Sequence, residues 1–265
     1  MIEGFLEEAA LPAFEGQLVG LIAPHAGYIY SGLTAAHAFK ALLGKQFARV
    51  ILLSPSHQPY RQPLLTTSHD AYSTPLGLVP VDREALARLN ELLKESNGVE
   101  LAAVRRDQEH SLEIELPFLQ VTQPNGFGLV PLMMVDQSAL MARLLSAALL
   151  KLIQSFPPKE NALLLASSDL SHFYSERAAN RLDGNLADAL QEFDLNAFYQ
   201  RKQHGEMEAC GFAPMATVLQ TSRLLGAEQV TVADYRTSAA VTGDRSSVVG
   251  YLSAIISTGK ADLYA

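Results

Sequence analysis

Three histidines occupy equivalent places in this chain. His25 lies in Pro24-His25-Ala26-Gly27-Tyr28, His57 in Ser54-Pro55-Ser56-His57, and His172 in Ser167-Ser168-Asp169-Leu170-Ser171-His172. Each follows a short run rich in Val, Ile and Leu. Neutral imidazole binds transition metals well, and near neutral pH it also moves protons. Asp169 precedes His172 by three residues, which puts carboxylate and imidazole on one face of a turn or first helical turn. From there it orients the ring, ligates a metal, or does neither. Cys210, the single cysteine, sits in Glu208-Ala209-Cys210-Gly211-Phe212 directly ahead of a predicted helix. A helix N-terminus stabilises a thiolate, which is both a metal ligand and a nucleophile. The alternative for Cys210 is a small buried apolar side chain. His110, in Glu109-His110-Ser111-Leu112-Glu113, is a further candidate. A helix start accounts for Glu113 through the dipole but leaves His110 unexplained. A lone loop histidine is more often an ordinary hydrogen-bonded side chain; three at matching strand ends argue for a shared site. His37 falls in a helical pattern and reads as packed or half-exposed, and His69 and His204 read as solvated. Asp244 and Arg245 read as parts of a structural turn.

The elements that position these residues alternate. Predicted strands are Leu18–Ala23, Arg49–Leu53, Phe127–Val135, Ala162–Ala166, Val230–Tyr235 and Ser247–Ile255. Helical patterns fill the gaps: Thr34–Leu43, Arg83–Glu95 behind an Asp82 N-cap, Leu112–Leu119, Ser138–Phe156, Ala178–Gln203 as one or two helices, and Ala213–Leu225 closing at Gly226. Such alternation predicts one α/β domain over residues 1–265, with a mixed or mostly parallel central sheet flanked by helices. Ligands of open α/β sheets bind beyond the C-terminal strand edge, so parallel neighbours would bring His25, His57 and His172 together.

Composition narrows the function. The 265 residues are 48% hydrophobic and 18% charged, which suits a large buried core. A net charge of −8 argues against nucleic-acid binding and against a polybasic membrane surface. One cysteine makes no internal disulfide. The acidic start lacks the basic residues and apolar run of a signal peptide. The longest apolar stretch, Leu140–Ile153, is interrupted by Arg143 and Lys151, so no transmembrane helix is expected. A cytoplasmic protein is the reading. No P-loop, dinucleotide fingerprint or serine nucleophile elbow occurs.

In order, Pro24-His25-Ala26-Gly27-Tyr28 with Tyr30-Ser31-Gly32, Ser54-Pro55-Ser56-His57, Glu109-His110-Ser111-Leu112-Glu113, Ser167 to His172, and Glu208-Ala209-Cys210-Gly211 resemble the motifs of the Memo-like family. The resemblance runs from about Val19 to Leu252. It implies a fold similar to the class III extradiol dioxygenases, in which two histidines and a glutamate bind Fe(II) and a further histidine acts as acid/base. By motif, His25 and His57 match the two histidine ligands and Cys210 takes the third ligand's place. His172 matches the acid/base histidine, with Asp169 beside it, and His110 lies in the motif lining the same cleft. The implied metal is Fe(II), with copper or zinc as alternatives because thiolate is a softer donor than carboxylate. The Pro-Ala-Val-Ala-Gly-type motif that precedes the first strand in that family has no counterpart here, which implies that part of one cleft wall is missing or differently supplied.

Three functions remain open on this reading. One is a metal-dependent oxidoreductase or redox protein held together by His25, His57 and Cys210. Another is a metal-free hydrolase or transferase with Cys210 as nucleophile and His172 or His25 as base. The third is a non-catalytic module whose cleft binds a peptide or small acid, phosphotyrosine peptides having been proposed for family members.

Overall fold

The computed structural model describes residues 1–105, 109–157 and 159–259. In chain order the elements are α1 (Ile2–Glu8), β1 (Leu18–Ala23), α2 (Tyr28–Phe39), β2 (Arg49–Pro55), β3 (Leu64–Thr67), β4 (Ala71–Thr74), β5 (Gly77–Pro80), α3 (Arg83–Asn97) and β6 (Ala102–Val104). They continue with α4 (His110–Glu113), α5 (Leu116–Thr122), β7 (Gly128–Met134), α6 (Ala139–Ser155), β8 (Ala162–Ser167), β9 (His172–Tyr174), α7 (Glu176–Glu192), α8 (Leu195–Gln203), α9 (Phe212–Leu224), β10 (Gln229–Thr237), α10 (Ala239–Thr242) and β11 (Val248–Ser257).

The main sheet runs β10-β11-β1-β8-β2-β7-β3-β6, with β9 pairing β11. Its centre is parallel: β1 pairs β8, β8 pairs β2, and β2 pairs β7, all in the same direction. Antiparallel pairs lie towards the edges, at β10–β11, β11–β1 and β7–β3. The central strands are apolar on both faces because helices cover both. In β2, Ile51 and Leu53 enter one core layer with Leu89, Leu145 and Val218, beneath α3, α6 and α9. Val50 and Leu52 enter the opposite layer, with Phe39 and Phe118 beneath α2 and α5.

Helix starts follow their caps. Asp82 accepts from Ala85 N at 2.9 Å, and Ser138 accepts from Met141 N at 3.1 Å. The Ala178–Gln203 pattern is two helices, broken where Phe193 adopts φ 49° and Asp194 caps the next. Leu112–Leu119 is also two, α4 and α5, because Pro117 sits at the start of α5, where its missing N–H costs nothing. Helix α1 and strands β3–β6 go beyond the expected elements. Ile2 and Leu6 of α1 have helical spacing and are buried, whereas the strands among β3–β6 are three or four residues long and too short for a periodic signal. No helix among the described residues is long and apolar enough to cross a membrane.

The parallel centre has one consequence for chemistry. The loops after β1, β2 and β8 leave from the same edge of the sheet, and these loops carry His25, His57 and Asp169.

Candidate metal centre

His25 is held by its backbone and by its ring. Its N–H and that of Ala26 donate to Asp169 Oδ1 at 2.8 and 3.2 Å. Its Nδ1 lies 2.8 Å from Ser167 Oγ at the end of β8. That leaves Nε2 facing Cys210 Sγ at 3.3 Å.

His57 is held in the same manner by another carboxylate. Its N–H donates to Glu109 Oε2 at 2.5 Å and its Nδ1 lies 2.9 Å from Glu109 Oε1. A carboxylate only accepts, so Nδ1 of His57 carries the proton and Nε2 is free for a ligand role. Glu109 also caps α4, accepting from Ser111 N at 3.1 Å. Ser111 Oγ in turn donates to Pro55 O, bolting α4 to the end of β2. The two imidazole rings meet edge to face, centroids 5.4 Å apart.

Cys210 reaches the site because α9 begins against the β8 loop. Gly211 N donates to Ser168 Oγ at 2.9 Å, and Cys210 N donates to Asp169 O at 3.2 Å. Asp169 N then donates to Cys210 Sγ at 3.3 Å. Asp169 therefore links the His25 loop to the cysteine through side chain and backbone together. A β-carbon on Gly211 would lie 2.5 Å from Ser167 O, so the two segments approach this closely only with glycine there.

The result is a cluster in which one ligand atom each from His25, His57 and Cys210 lie within 4.8 Å of one another. The His25 side chain is 8% exposed and that of His57 48%, so the cluster opens to solvent on the His57 side. Burial alone would raise the Cys210 thiol, but hydrogen bonding to His25 and His57 outweighs it and brings the pKa down to about 6. For His25 burial acts downward, and the Asp169 carboxylate and Cys210 sulfur outweigh it, lifting the pKa to about 9. Contacts with Cys210 and Glu109 lift His57 to about 10. For Glu109 burial acts upward, but the hydrogen bonds from the His57 ring, His57 N and Ser111 N prevail and bring it down to about 2. In the metal-free trio these contacts favour the thiolate at Cys210 and the charged rings at His25 and His57.

Of the other candidates, Asp169 adjoins the trio, whereas His172 and His110 are not among its donors. Asp169 makes its hydrogen bonds to the His25 loop and not to His172, because residues 168–171 form an irregular loop, and the i,i+3 spacing brings side chains together only in a helix or turn. His172 opens β9, pairs with Val249 of β11 and is partly buried, outside the trio. The His110 side chain is 86% exposed. It lines a cavity of about 620 Å³ with Tyr28, Glu113, Ile114 and Leu116, whose walls include none of the three donors. The residue of its motif that touches the site is Glu109. His37 is buried, with Nδ1 2.8 Å from Ala10 O, and His69 Nε2 lies 2.7 Å from Arg105 O.

Comparison with known proteins gives the family. The family model described as Memo-like protein matches residues 1–255. The chain belongs to the Memo-like family. Its relatives include a MEMO1 family protein of Nitrosopumilus maritimus, 36% identical over 88% of this chain and 82% of the relative. A MEMO1 family protein of Thermotoga neapolitana is 36% identical over 90% of this chain and 83% of its own length. One from Methanococcoides burtonii is 34% identical, over 90% and 86%. In this Memo-like chain the two carboxylates that hold the histidine loops differ in role: Asp169 fixes the backbone of one loop, and Glu109 fixes both backbone and ring of the other.

Glu109 therefore makes a sharp test. Glu109→Ala leaves His57 Nδ1, His57 N and Ser111 N without their acceptor. The expected loss of stability is about 1–3 kcal/mol, because half-exposed His57 regains water while Ser111 N does not. Metal affinity is expected to fall about 10–100-fold, as for other groups that orient a metal-binding histidine. Thermal melting and metal titration check both, and Glu109→Gln, which keeps one acceptor oxygen but turns its amide N–H towards a donor, should recover only part of the stability.

Proposed function

We propose that His25 Nε2, His57 Nε2 and Cys210 Sγ bind a transition metal ion, Fe(II) first and copper or zinc as alternatives, and that the protein is a metal-dependent oxidoreductase or redox protein. The observation that carries this is the convergence of two neutral-capable imidazoles and one thiolate on one point. The donor set fits such an ion. Metal–sulfur and metal–nitrogen bonds of about 2.3 and 2.0–2.1 Å put S and N about 3.1 Å apart at a right angle and about 3.6 Å apart at a tetrahedral one. The separation of Cys210 Sγ from His25 Nε2 is 3.3 Å. Two histidines and one anion on a single face leave other positions open to substrate or O₂, as in facial-triad iron sites. A bound ion would supply Lewis acidity or electron transfer.

The chain's own residues prepare that site. Glu109 keeps the proton of His57 on Nδ1, and Asp169 holds the His25 loop against the cysteine. Solvent and substrate enter beside half-exposed His57. His172, on the strand following the Asp169 loop, is the proposed proton carrier, and the adjacent cavity lined by Tyr28 and His110 is the proposed seat of a small molecule or peptide.

Metal must displace protons from His25 and His57, whose pKa values of about 9 and 10 keep both charged at pH 7, whereas Cys210 at about 6 is already largely thiolate. Binding should release about two protons per metal, and affinity should rise steeply from pH 6.5 to 8.5. Calorimetric titration with zinc in buffers of different ionisation enthalpy measures this. A pH-independent affinity over that range would contradict it.

The thiolate–imidazolium contact also favours a second reading, with Cys210 as nucleophile and His25 as its base partner. Alkylation separates the two. Iodoacetamide should label Cys210 readily at pH 7, since the thiolate is populated, and stoichiometric zinc should block labelling if Cys210 is a ligand. Labelling indifferent to metal would favour the nucleophile.

A further inference from the structure

Beneath the trio lies a polar junction that excludes water. Ser167 is fully buried and Glu115, in the turn between α4 and α5, is 1% exposed. Ser167 Oγ has three neighbours at hydrogen-bond distance: Ser111 O at 2.6 Å, His25 Nδ1 at 2.8 Å and Glu115 Oε1 at 3.0 Å.

A hydroxyl has one proton and two lone pairs. The Ser111 carbonyl can only accept, and it makes the shortest contact, so it takes the serine's proton. Both remaining neighbours must then donate to Oγ, since otherwise lone pairs would face each other in a dry site. His25 donates through Nδ1–H. The carboxyl of Glu115 can donate only if it is protonated.

Resting on the metal reading above, we propose that Glu115 is a neutral carboxylic acid and a positioning residue, the terminal donor of a Glu115–Ser167–His25 chain that keeps the proton on Nδ1 of His25 and turns the Nε2 lone pair towards the metal position. Complete burial favours the uncharged acid and raises its pKa to about 8. The neutral acid also spares the site another negative charge beside Asp169. His57 is oriented by an ionised carboxylate and His25 by a protonated one, so the two rings share a tautomer but owe it to opposite protonation states.

Infrared spectra of the metal-free protein at pH 7 test the protonation state without reference to any metal. Subtracting Glu115→Gln from wild type should leave the carbonyl band of a protonated carboxylic acid. Carboxylate bands in its place would overturn the proposal. A second arm uses zinc affinity. Glu115→Gln, whose amide still donates to Ser167, should bind within about threefold of wild type, and Glu115→Leu should lose about 10–100-fold. An equal loss in both variants would overturn it. Nitrogen-15 spectra of zinc-loaded wild type should show His25 coordinated through Nε2 with Nδ1 protonated; coordination through Nδ1 would overturn it even if neither variant folds. Should wild type take up no zinc, the metal reading fails while the infrared result still decides the state of Glu115.

Discussion

Cys210→Ala is expected to bind zinc or Fe(II) at least about a hundred-fold more weakly than the parent protein while remaining folded. Structural zinc sites gain about 10 kcal/mol or more from three or four protein donors, so removing one costs about 3 kcal/mol, a hundred-fold or more in affinity. The fold should tolerate the change. The sulfur accepts from Asp169 N at 3.3 Å and faces His25 Nε2 at 3.3 Å, and its loss leaves the backbone bond from Cys210 N to Asp169 O in place. A second effect follows from the charges. Removing the thiolate takes away a group that lifts both histidines, so the pKa values of His25 and His57 should fall from about 9 and 10 towards the ordinary imidazole value. Histidine NMR titrations of parent and variant, read beside the metal titration, check this. Unchanged histidine pKa values would mean that the sulfur does not sit where the structure has it.

Gly211→Ala should damage the site from outside it. Its φ of −98° is open to any residue, so the objection is steric and not conformational. The new β-carbon would lie 2.5 Å from Ser167 O and 2.6 Å from Ser168 Cβ, neither of which is the far end of a flexible side chain. The start of α9 and the end of β8 must separate, at a cost of about 1–3 kcal/mol for an overpacked interior. That is a fall in melting temperature of roughly 2–4 °C per kcal/mol for a domain of this size class. Cys210 moves with the helix start, so metal affinity should fall with stability. Gly184→Ala is the control: it lies within α7 with nothing inside 4 Å of the added carbon. There alanine should stabilise the helix by up to about 1 kcal/mol. Similar behaviour of the two variants would show that the tight contact at Gly211 is not real.

The strand runs ahead of His25, His57 and Asp169 are legible because parallel central strands are apolar on both faces and end abruptly in polar loops. Once those strands are parallel neighbours, the approach of His25 and His57 follows from topology. Cys210 was legible as a residue just before a helix, but its reach into the site depends on Gly211 packing against Ser167, a contact between segments more than forty residues apart. The carboxylates were harder to read. Glu109 stands at a helix N-cap, where Ser, Thr, Asp and Asn are the usual residues. That oddity is a signal in the sequence, and it points to Glu109 rather than to His110, the histidine of the same motif. The i,i+3 spacing of Asp169 and His172 puts the two on one face only in a helix or turn, whereas the chain there is an irregular loop entering a strand. Glu115 gives no signal at all, since only the break between α4 and α5 turns it inward.

The central claim is that two imidazole nitrogens and one sulfur share an ion. X-ray absorption on the zinc-loaded protein measures it directly, with Cys210→Ala as the reference. The predicted first shell contains one sulfur at about 2.3 Å and two imidazole nitrogens at about 2.0–2.1 Å, the sulfur vanishing in the variant. A first shell of nitrogen and oxygen alone in the parent protein, unchanged in the variant, would contradict it.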